Sequence, residues 1–162
     1  MRATRFNHVS IHADDLEESA RFYEELFGMQ RIPTPRFPGR VIWLALGDQQ
    51  LHLFEQETEA PTYPHLGLDV DDFEAVYRAA KERGLLDADT FQRSVRYHPA
   101  GWVQMYIRDP AGNLVEIDWP DVTTLDRSVF GDDLKRLDDF FPQVGEALRA
   151  TLFLRLREQA PA

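Results

Sequence analysis

Two stretches of the chain repeat the same alternation of apolar and polar residues, and each then changes to helical spacing. Phe6 to Ile11 and Tyr63 to Val70 alternate in this way, which is the pattern of half-buried strands. The similarity continues into an Asp pair and a helical segment, so that residues 8–17 match residues 65–74, which lie 57 positions further on. An internal repeat of this kind predicts two copies of one structural unit.

Both predicted helices carry recognisable start and stop signals. Asp14 or Asp15 can cap the first helix, and Gly28 ends it. The second helix is predicted over Asp72 to Arg83 and ends at Gly84. Aspartate accepts hydrogen bonds from the first backbone N–H groups of a helix, and glycine adopts the left-handed conformation that closes one.

The remaining alternating segments give each copy three further strands after its helix. They are predicted at Met29–Ile32, Arg40–Ala45 and Gln50–Gln56 in the first copy, and at Phe91–Arg96, Trp102–Arg108 and Asn113–Trp119 in the second. The sequence therefore predicts an α+β protein with two βαβββ modules, over residues 5–57 and 62–120.

Residues 121–162 have no counterpart in the repeat. Their apolar residues recur at helical spacing on both sides of Pro142, and they are Leu134, Leu137, Phe140 and Phe141, then Leu148, Leu152 and Leu156. This spacing predicts a C-terminal helical extension of two helices separated at the proline.

Composition narrows the classes of function. The net charge is −10 without a basic cluster, which argues against binding nucleic acid or an anionic membrane surface. Cysteine is absent, so thiolate metal sites and disulfides are excluded. No apolar stretch approaches the ~20 residues that span a bilayer, and the N-terminus lacks the apolar region of a signal peptide. We expect a cytoplasmic protein that acts on a small-molecule substrate.

Four polar residues occupy matched points of the repeat. His8 and His65 open equivalent strands, while His52 and Glu116 lie between apolar neighbours in the last strand of each copy. A carboxylate in such a strand is paired, binds a metal or lines a pocket. Two histidines and one carboxylate suit Fe(II), and the same set suits Zn, Mn, Ni or Co. The interpretation of each histidine as an ordinary core residue stays open at this point.

Longer motifs carry a family resemblance. They are His8-x-Ser-x-x-x-Asp-Asp-Leu, Phe22-Tyr-x-x-x-Phe-Gly28, His65, and Asp109-Pro-x-Gly-Asn-x-x-Glu116. In these motifs the chain resembles the vicinal oxygen chelate superfamily, which includes glyoxalase I, bleomycin-resistance proteins, fosfomycin-resistance enzymes, methylmalonyl-CoA epimerase and extradiol dioxygenases. The resemblance implies a pseudo-symmetric pair of half-barrels, a homodimer, and a divalent metal bound by His8, His65 and Glu116. By the same resemblance, His52 stands where glyoxalase-like members place a fourth ligand.

One segment is similar to the extradiol dioxygenase signature. His98 precedes Met105-Tyr106, which is followed by Asp109-Pro-Ala-Gly112 and Glu116. That similarity implies an Fe(II) enzyme that cleaves a small catecholic substrate with O₂, with His52, His98 and Tyr106 as its catalytic residues.

Two alternative functions stay open for a chain with this resemblance. One is a glyoxalase-type lyase, isomerase or epimerase that works through a metal-stabilised enediolate. The other is a metal-free protein that sequesters its ligand. Four aromatic residues either line a substrate pocket or belong to the core, and they are Phe37, Trp43, Phe54 and Trp102.

Overall fold

The computed structural model describes residues 2–3, 5–87, 89–90 and 95–153. Both copies of the repeat have the predicted order of elements. The first contains β1 (His8–Ala13), α1 (Leu16–Phe27), β2 (Gln30–Ile32), β3 (Val41–Leu46) and β4 (Gln49–Glu55). The second contains β5 (His65–Asp69), α2 (Phe73–Glu82), β6 (Val95–Tyr97), β7 (Val103–Arg108) and β8 (Leu114–Trp119), followed by β9 (Leu134–Arg136). Part of the strand predicted from Phe91 lies outside the described residues.

The first sheet has the strand order β1-β4-β3-β2. β1 runs parallel to β4 and β3 runs antiparallel to it, so that Ser10, His52 and Trp43 lie side by side across three strands. Since alternate residues of a strand share a face, His8 lies on the same face as these three. The opposite face is apolar, and Leu44 and Leu53 on it are fully buried.

The caps of both helices form where the sequence indicates. The Asp15 side chain accepts hydrogen bonds from the backbone N–H groups of Glu17 and Glu18. Asp15, rather than Asp14, is therefore the N-cap of α1, and Gly28 closes that helix with a φ of 64°. Asp72 caps α2 through the backbone N–H of Ala75.

The second sheet has the strand order β5-β8-β7-β6-β9. Its last strand comes from the C-terminal segment, since β9 pairs in parallel with β6. The chain divides into two compact units, residues 1–66 with 107–115 and residues 67–106 with 116–162. The module boundaries that the repeat suggests stay a prediction.

Over residues 121–153, the described part of the C-terminal segment, short 3₁₀ helices stand where the spacing predicts α-helices. They lie at Val122–Thr124, Arg127–Val129, Gly131–Asp133, Leu137–Asp139 and Gly145–Arg149, with β9 among them. Asp121 and Asp126 each accept a hydrogen bond from a backbone N–H two residues on. Such local bonds start a new turn and compete with a continuous helix. Leu156 lies outside the described residues.

In the first unit, Asp109 fixes the turn between β7 and β8 against α1. Its carboxylate accepts hydrogen bonds from the backbone N–H groups of Ala111 and Asn113, from the Asn113 amide and from the Tyr23 hydroxyl, at 2.8–3.0 Å. Tyr23 is fully buried, and Asp109 is 4% exposed. This network gives the Asp-Pro-x-Gly-Asn motif a structural role.

We expect Tyr23→Phe to lower the free energy of unfolding by about 1–3 kcal/mol, because a buried carboxylate loses one of its donors. Urea unfolding measured by fluorescence gives this difference. Tyr63→Phe is the control, since Tyr63 is 66% exposed and a surface change costs within about 0.5 kcal/mol. Equal stabilities of the two variants would contradict the role assigned to the Tyr23 hydroxyl.

Candidate functional site

The polar face of the first sheet forms one wall of a cleft in the first unit. The cleft has a volume of about 420 Å³ and is lined by His8, Ser10 and His52 together with the aromatic rings of Phe37, Trp43 and Phe54. Three of the four aromatic residues singled out in the sequence therefore meet two of the candidate histidines in one cavity. The fourth, Trp102, belongs to the second unit.

His52 is held between two other rings in this cleft. Its imidazole stacks on the Trp43 indole with centroids 4.1 Å apart, and on the His8 imidazole with centroids 4.5 Å apart. Burial, and then the neighbouring His8 ring, lower the pKa of His52. The lowered pKa favours the neutral imidazole of His52, which is the form that can accept a proton from a substrate.

The hydrogen bonds of His8 and His65 fix which ring nitrogen keeps its lone pair. His65 Nδ1 lies 2.8 Å from the backbone oxygen of Tyr63, and His8 Nδ1 lies 2.7 Å from Oδ1 of Asn7. Both oxygens are acceptors, so each Nδ1 donates, and in the neutral imidazole the lone pair is then on Nε2. Metal-binding histidines are commonly held in this way.

Glu116 lies in the second unit and is almost completely buried, with 7% exposed. The Tyr106 hydroxyl donates a hydrogen bond to its carboxylate, and burial followed by the Glu116 charge raises the pKa of Tyr106. Asp118, two residues along β8, is hydrogen-bonded to Glu116 as well. Burial, followed by the Glu116 charge, raises the pKa of Asp118 well above its usual range.

Gln104, which sequence reasoning did not single out, links His98 to Tyr106. His98 Nε2 lies 2.6 Å from Gln104 Oε1, and Gln104 Nε2 lies 2.7 Å from the Tyr106 hydroxyl. The signal was present in the sequence, because residues 104 and 106 are two apart on one strand and thus share a face. His98 lies in the loop after β6, and its imidazole is held there by stacking on Trp102, with ring centroids 3.5 Å apart.

The donor types that the sequence singled out fit a divalent cation, because two imidazoles offer Nε2 lone pairs and Glu116 offers a carboxylate. Within the described ranges of one chain, however, no three His, Asp or Glu side chains form a group that can hold a metal ion. The convergence of His8, His65 and Glu116 therefore stays a prediction. In the same ranges, no helix is both long and apolar enough to span a membrane.

Known proteins share this fold. A fosfomycin resistance protein from Listeria monocytogenes superposes with a TM-score of 0.61, at 14% identity over 75% of this chain and 94% of that one. The oxidase ChaP-H2 superposes with a TM-score of 0.59, at 25% identity over 75% of this chain and 98% of that one. These similarities confirm the predicted α+β fold class.

Comparison of sequences also finds relatives of this chain. Human mitochondrial methylmalonyl-CoA epimerase is 26% identical over 129 residues, which cover 70% of this chain and 73% of that protein. Residues 5–117 match the model of a single protein family, a span that contains His8, His52, His65, His98, Tyr106 and Glu116. The chain belongs to the glyoxalase/bleomycin resistance protein/dioxygenase superfamily.

Proposed function

We propose that the protein is a metal-dependent enzyme whose divalent cation is bound by His8, His65 and Glu116. The observation that carries this proposal is the shared arrangement of the two histidines, in which Nδ1–H donates to an oxygen and Nε2 keeps its lone pair. Metal-binding histidines commonly donate one ring N–H to an oxygen and bind the metal through the other nitrogen, which is the arrangement that these two bonds favour.

The proposed site draws on two copies of the chain. The described part of one chain does not gather three ligands, and homo-oligomers with twofold symmetry are the commonest assemblies. In a homodimer, His8 and His52 of one subunit meet the partner's His65 and the partner's Glu116. His52 then lies next to the metal as a fourth ligand or as a base.

The reaction we favour is extradiol cleavage of a small catecholic substrate with O₂. The cleft beside His8 and His52 is lined by the flat rings of Phe37, Trp43 and Phe54, which suit a planar aromatic ligand. Bound Fe(II) would supply the Lewis acidity and the redox chemistry. Of the chain's own residues, neutral His52 accepts a proton from a substrate hydroxyl, and Tyr106 holds the Glu116 carboxylate in place.

A second reaction is favoured by the curated relatives, which are epimerases. In that case Zn, Mn, Ni or Co would serve as well as Fe(II), because the cation would supply only Lewis acidity to an oxygen of the substrate. His52 is again the residue placed to remove or return a proton, now at a carbon atom next to a carbonyl group.

Anaerobic purification followed by metal analysis tests the proposal. We expect about one divalent ion per chain, and a higher Tm after Fe(II), Zn(II) or Mn(II) is added to the metal-free protein, because a ligand that binds only the folded state stabilises it. No bound metal together with an unchanged Tm would overturn the proposal and favour a ligand-sequestering protein.

Two assays of the metal-loaded protein then separate the reactions. Oxygen uptake in step with the loss of a catechol, across a panel of substituted catechols, supports the dioxygenase. Exchange of a substrate C–H for deuterium in D₂O, without oxygen uptake, supports the isomerase or epimerase. If the protein binds metal but gives neither signal, both proposed reactions are overturned and the proposed metal site still stands.

A further inference from the structure

We infer that Gln104 is a positioning residue for Glu116. Its side-chain amide directs the Tyr106 hydroxyl at the Glu116 carboxylate and thereby sets which carboxylate oxygen is turned towards a ligand. The geometry of this relay is independent of any metal, whereas its consequence for metal affinity rests on the proposed function.

The relay consists of three consecutive hydrogen bonds within the second unit. His98 Nε2 and Gln104 Oε1 are 2.6 Å apart, and Gln104 Nε2 and the Tyr106 hydroxyl are 2.7 Å apart. The third bond joins the Tyr106 hydroxyl to the carboxylate of Glu116. Both Tyr106 and Glu116 are less than 10% exposed, so water competes little for these bonds.

The direction of every bond follows from the Gln104 amide, whose Nε2 donates to the Tyr106 oxygen. The single hydroxyl proton of Tyr106 is then left for the hydrogen bond to Glu116. Gln104 therefore presents its carbonyl oxygen to His98, and His98 must carry its proton on Nε2.

The far end of the relay is held in place by the C-terminal segment. The His98 imidazole stacks on the Trp102 indole, and Trp102 Nε1 donates to the backbone oxygen of Ala150 at 2.9 Å. The backbone of the intervening loop is closed by a hydrogen bond from His98 N to the oxygen of Trp102. His98 thus acts through Gln104 on Tyr106, which makes it a positioning residue rather than a catalytic one.

Gln104→Glu tests the direction of the relay with almost no change of shape. The new carboxylate has no N–H for Tyr106, and it competes with Glu116 for the Tyr106 proton. We expect the affinity for Mn(II) and Zn(II), measured by titration calorimetry, to fall about 10–100-fold, as is typical when a residue that orients a ligand is changed. Charge alone predicts the opposite, since an added negative charge attracts a cation.

Gln30→Glu is the matched control, because it adds the same charge at an exposed position of β2. It should leave the affinity unchanged. Tyr106→Phe removes the hydroxyl that the Gln104 amide contacts, and Gln104→Leu removes the amide itself. The two variants should lose similar amounts of metal affinity. The double variant, which combines Tyr106→Phe with Gln104→Leu, should lose little more metal affinity than either single variant, since both changes break the same relay.

A metal-free measurement separates this inference from the proposed function. Nitrogen-15 NMR of the histidine rings should show His98 protonated at Nε2 in the wild type, and Gln104→Leu should change that signal while the fold, checked by circular dichroism, persists. An Nδ1–H tautomer in the wild type, or an unchanged His98 signal in the variant, would overturn the relay. If the wild type binds no metal but the NMR result holds, only the proposed function fails.

If the wild type binds metal and Gln104→Glu binds it within twofold of the wild type, Gln104 does not position Glu116. Additive losses in the double variant would lead to the same conclusion, because independent effects add. Should Gln104→Glu fail to fold, the Tyr106→Phe variant and the NMR tautomer measurement still decide the question.

Discussion

Glu116→Gln is expected to lower divalent-metal affinity and turnover by more than about 100-fold, beyond the 10–100-fold range for residues that only support a ligand. The substitution keeps the size of the side chain and removes the only anion among the three proposed ligands. Because Glu116 is 7% exposed, water cannot easily take the place of the lost carboxylate oxygen. Calorimetric titration with Mn(II) and the assay of the preferred substrate measure the two losses.

Glu25→Gln provides the control for this experiment, since Glu25 is an exposed residue of α1. It should bind metal and turn over as the wild type does. A Glu116→Gln protein that keeps its metal affinity within threefold would remove Glu116 from the ligand set. The donor chemistry of His8 and His65 would then need a different third ligand.

Mixing two inactive variants tests whether the site is shared between subunits. Consider a mixed dimer in which one subunit carries His8→Ala and the other carries Glu116→Gln. One of its two shared sites keeps all its ligands, and the other site loses both residues. Random exchange of subunits should restore about a quarter of the wild-type activity in a twofold-symmetric dimer. A site contained in one chain gives no recovery, because every chain then carries one defective ligand.

The repeated modules could be predicted from the sequence because each local signal agreed with the others. Asp15 and Asp72 cap helices whose apolar stripes are buried, and Gly28 ends the first of them. The positions of His52 and Glu116 within their strands also followed from the alternation of side chains. Consistent local preferences of this kind are what a foldable sequence requires.

The features that sequence reasoning missed depend on contacts between distant residues. The sequence places Gln104 and Tyr106 on one face of a strand, but it does not indicate that the Gln104 amide also reaches His98. The stacking of His52 between Trp43 and His8 likewise depends on strand register. Between residues 121 and 153 the helical spacing of apolar residues gave a wrong prediction, because spacing does not register local turns such as those that Asp121 and Asp126 cap.

The C-terminal segment nevertheless contributes to the core of the second unit. Phe130 is 2% exposed, and its ring centroid lies 5.8 Å from that of Phe73 and 4.8 Å from that of Tyr77. The Tyr77 hydroxyl donates to Asp133 Oδ2, which also accepts from Lys81 Nζ at 2.9 Å. An aromatic anchor and a shared carboxylate therefore fasten the segment to α2.

Phe130→Ala should consequently lower the free energy of unfolding by about 3–5 kcal/mol, the usual cost of emptying a buried aromatic site. Urea unfolding followed by tryptophan fluorescence measures it, and Phe141→Ala is the control, because Phe141 is 56% exposed. A loss below about 1 kcal/mol, within the range of ordinary substitutions, would mean that the segment merely covers the surface. A loss of the expected size would show that the segment belongs to the core of the second unit. The same packing would then explain how the segment supports His98 through Trp102.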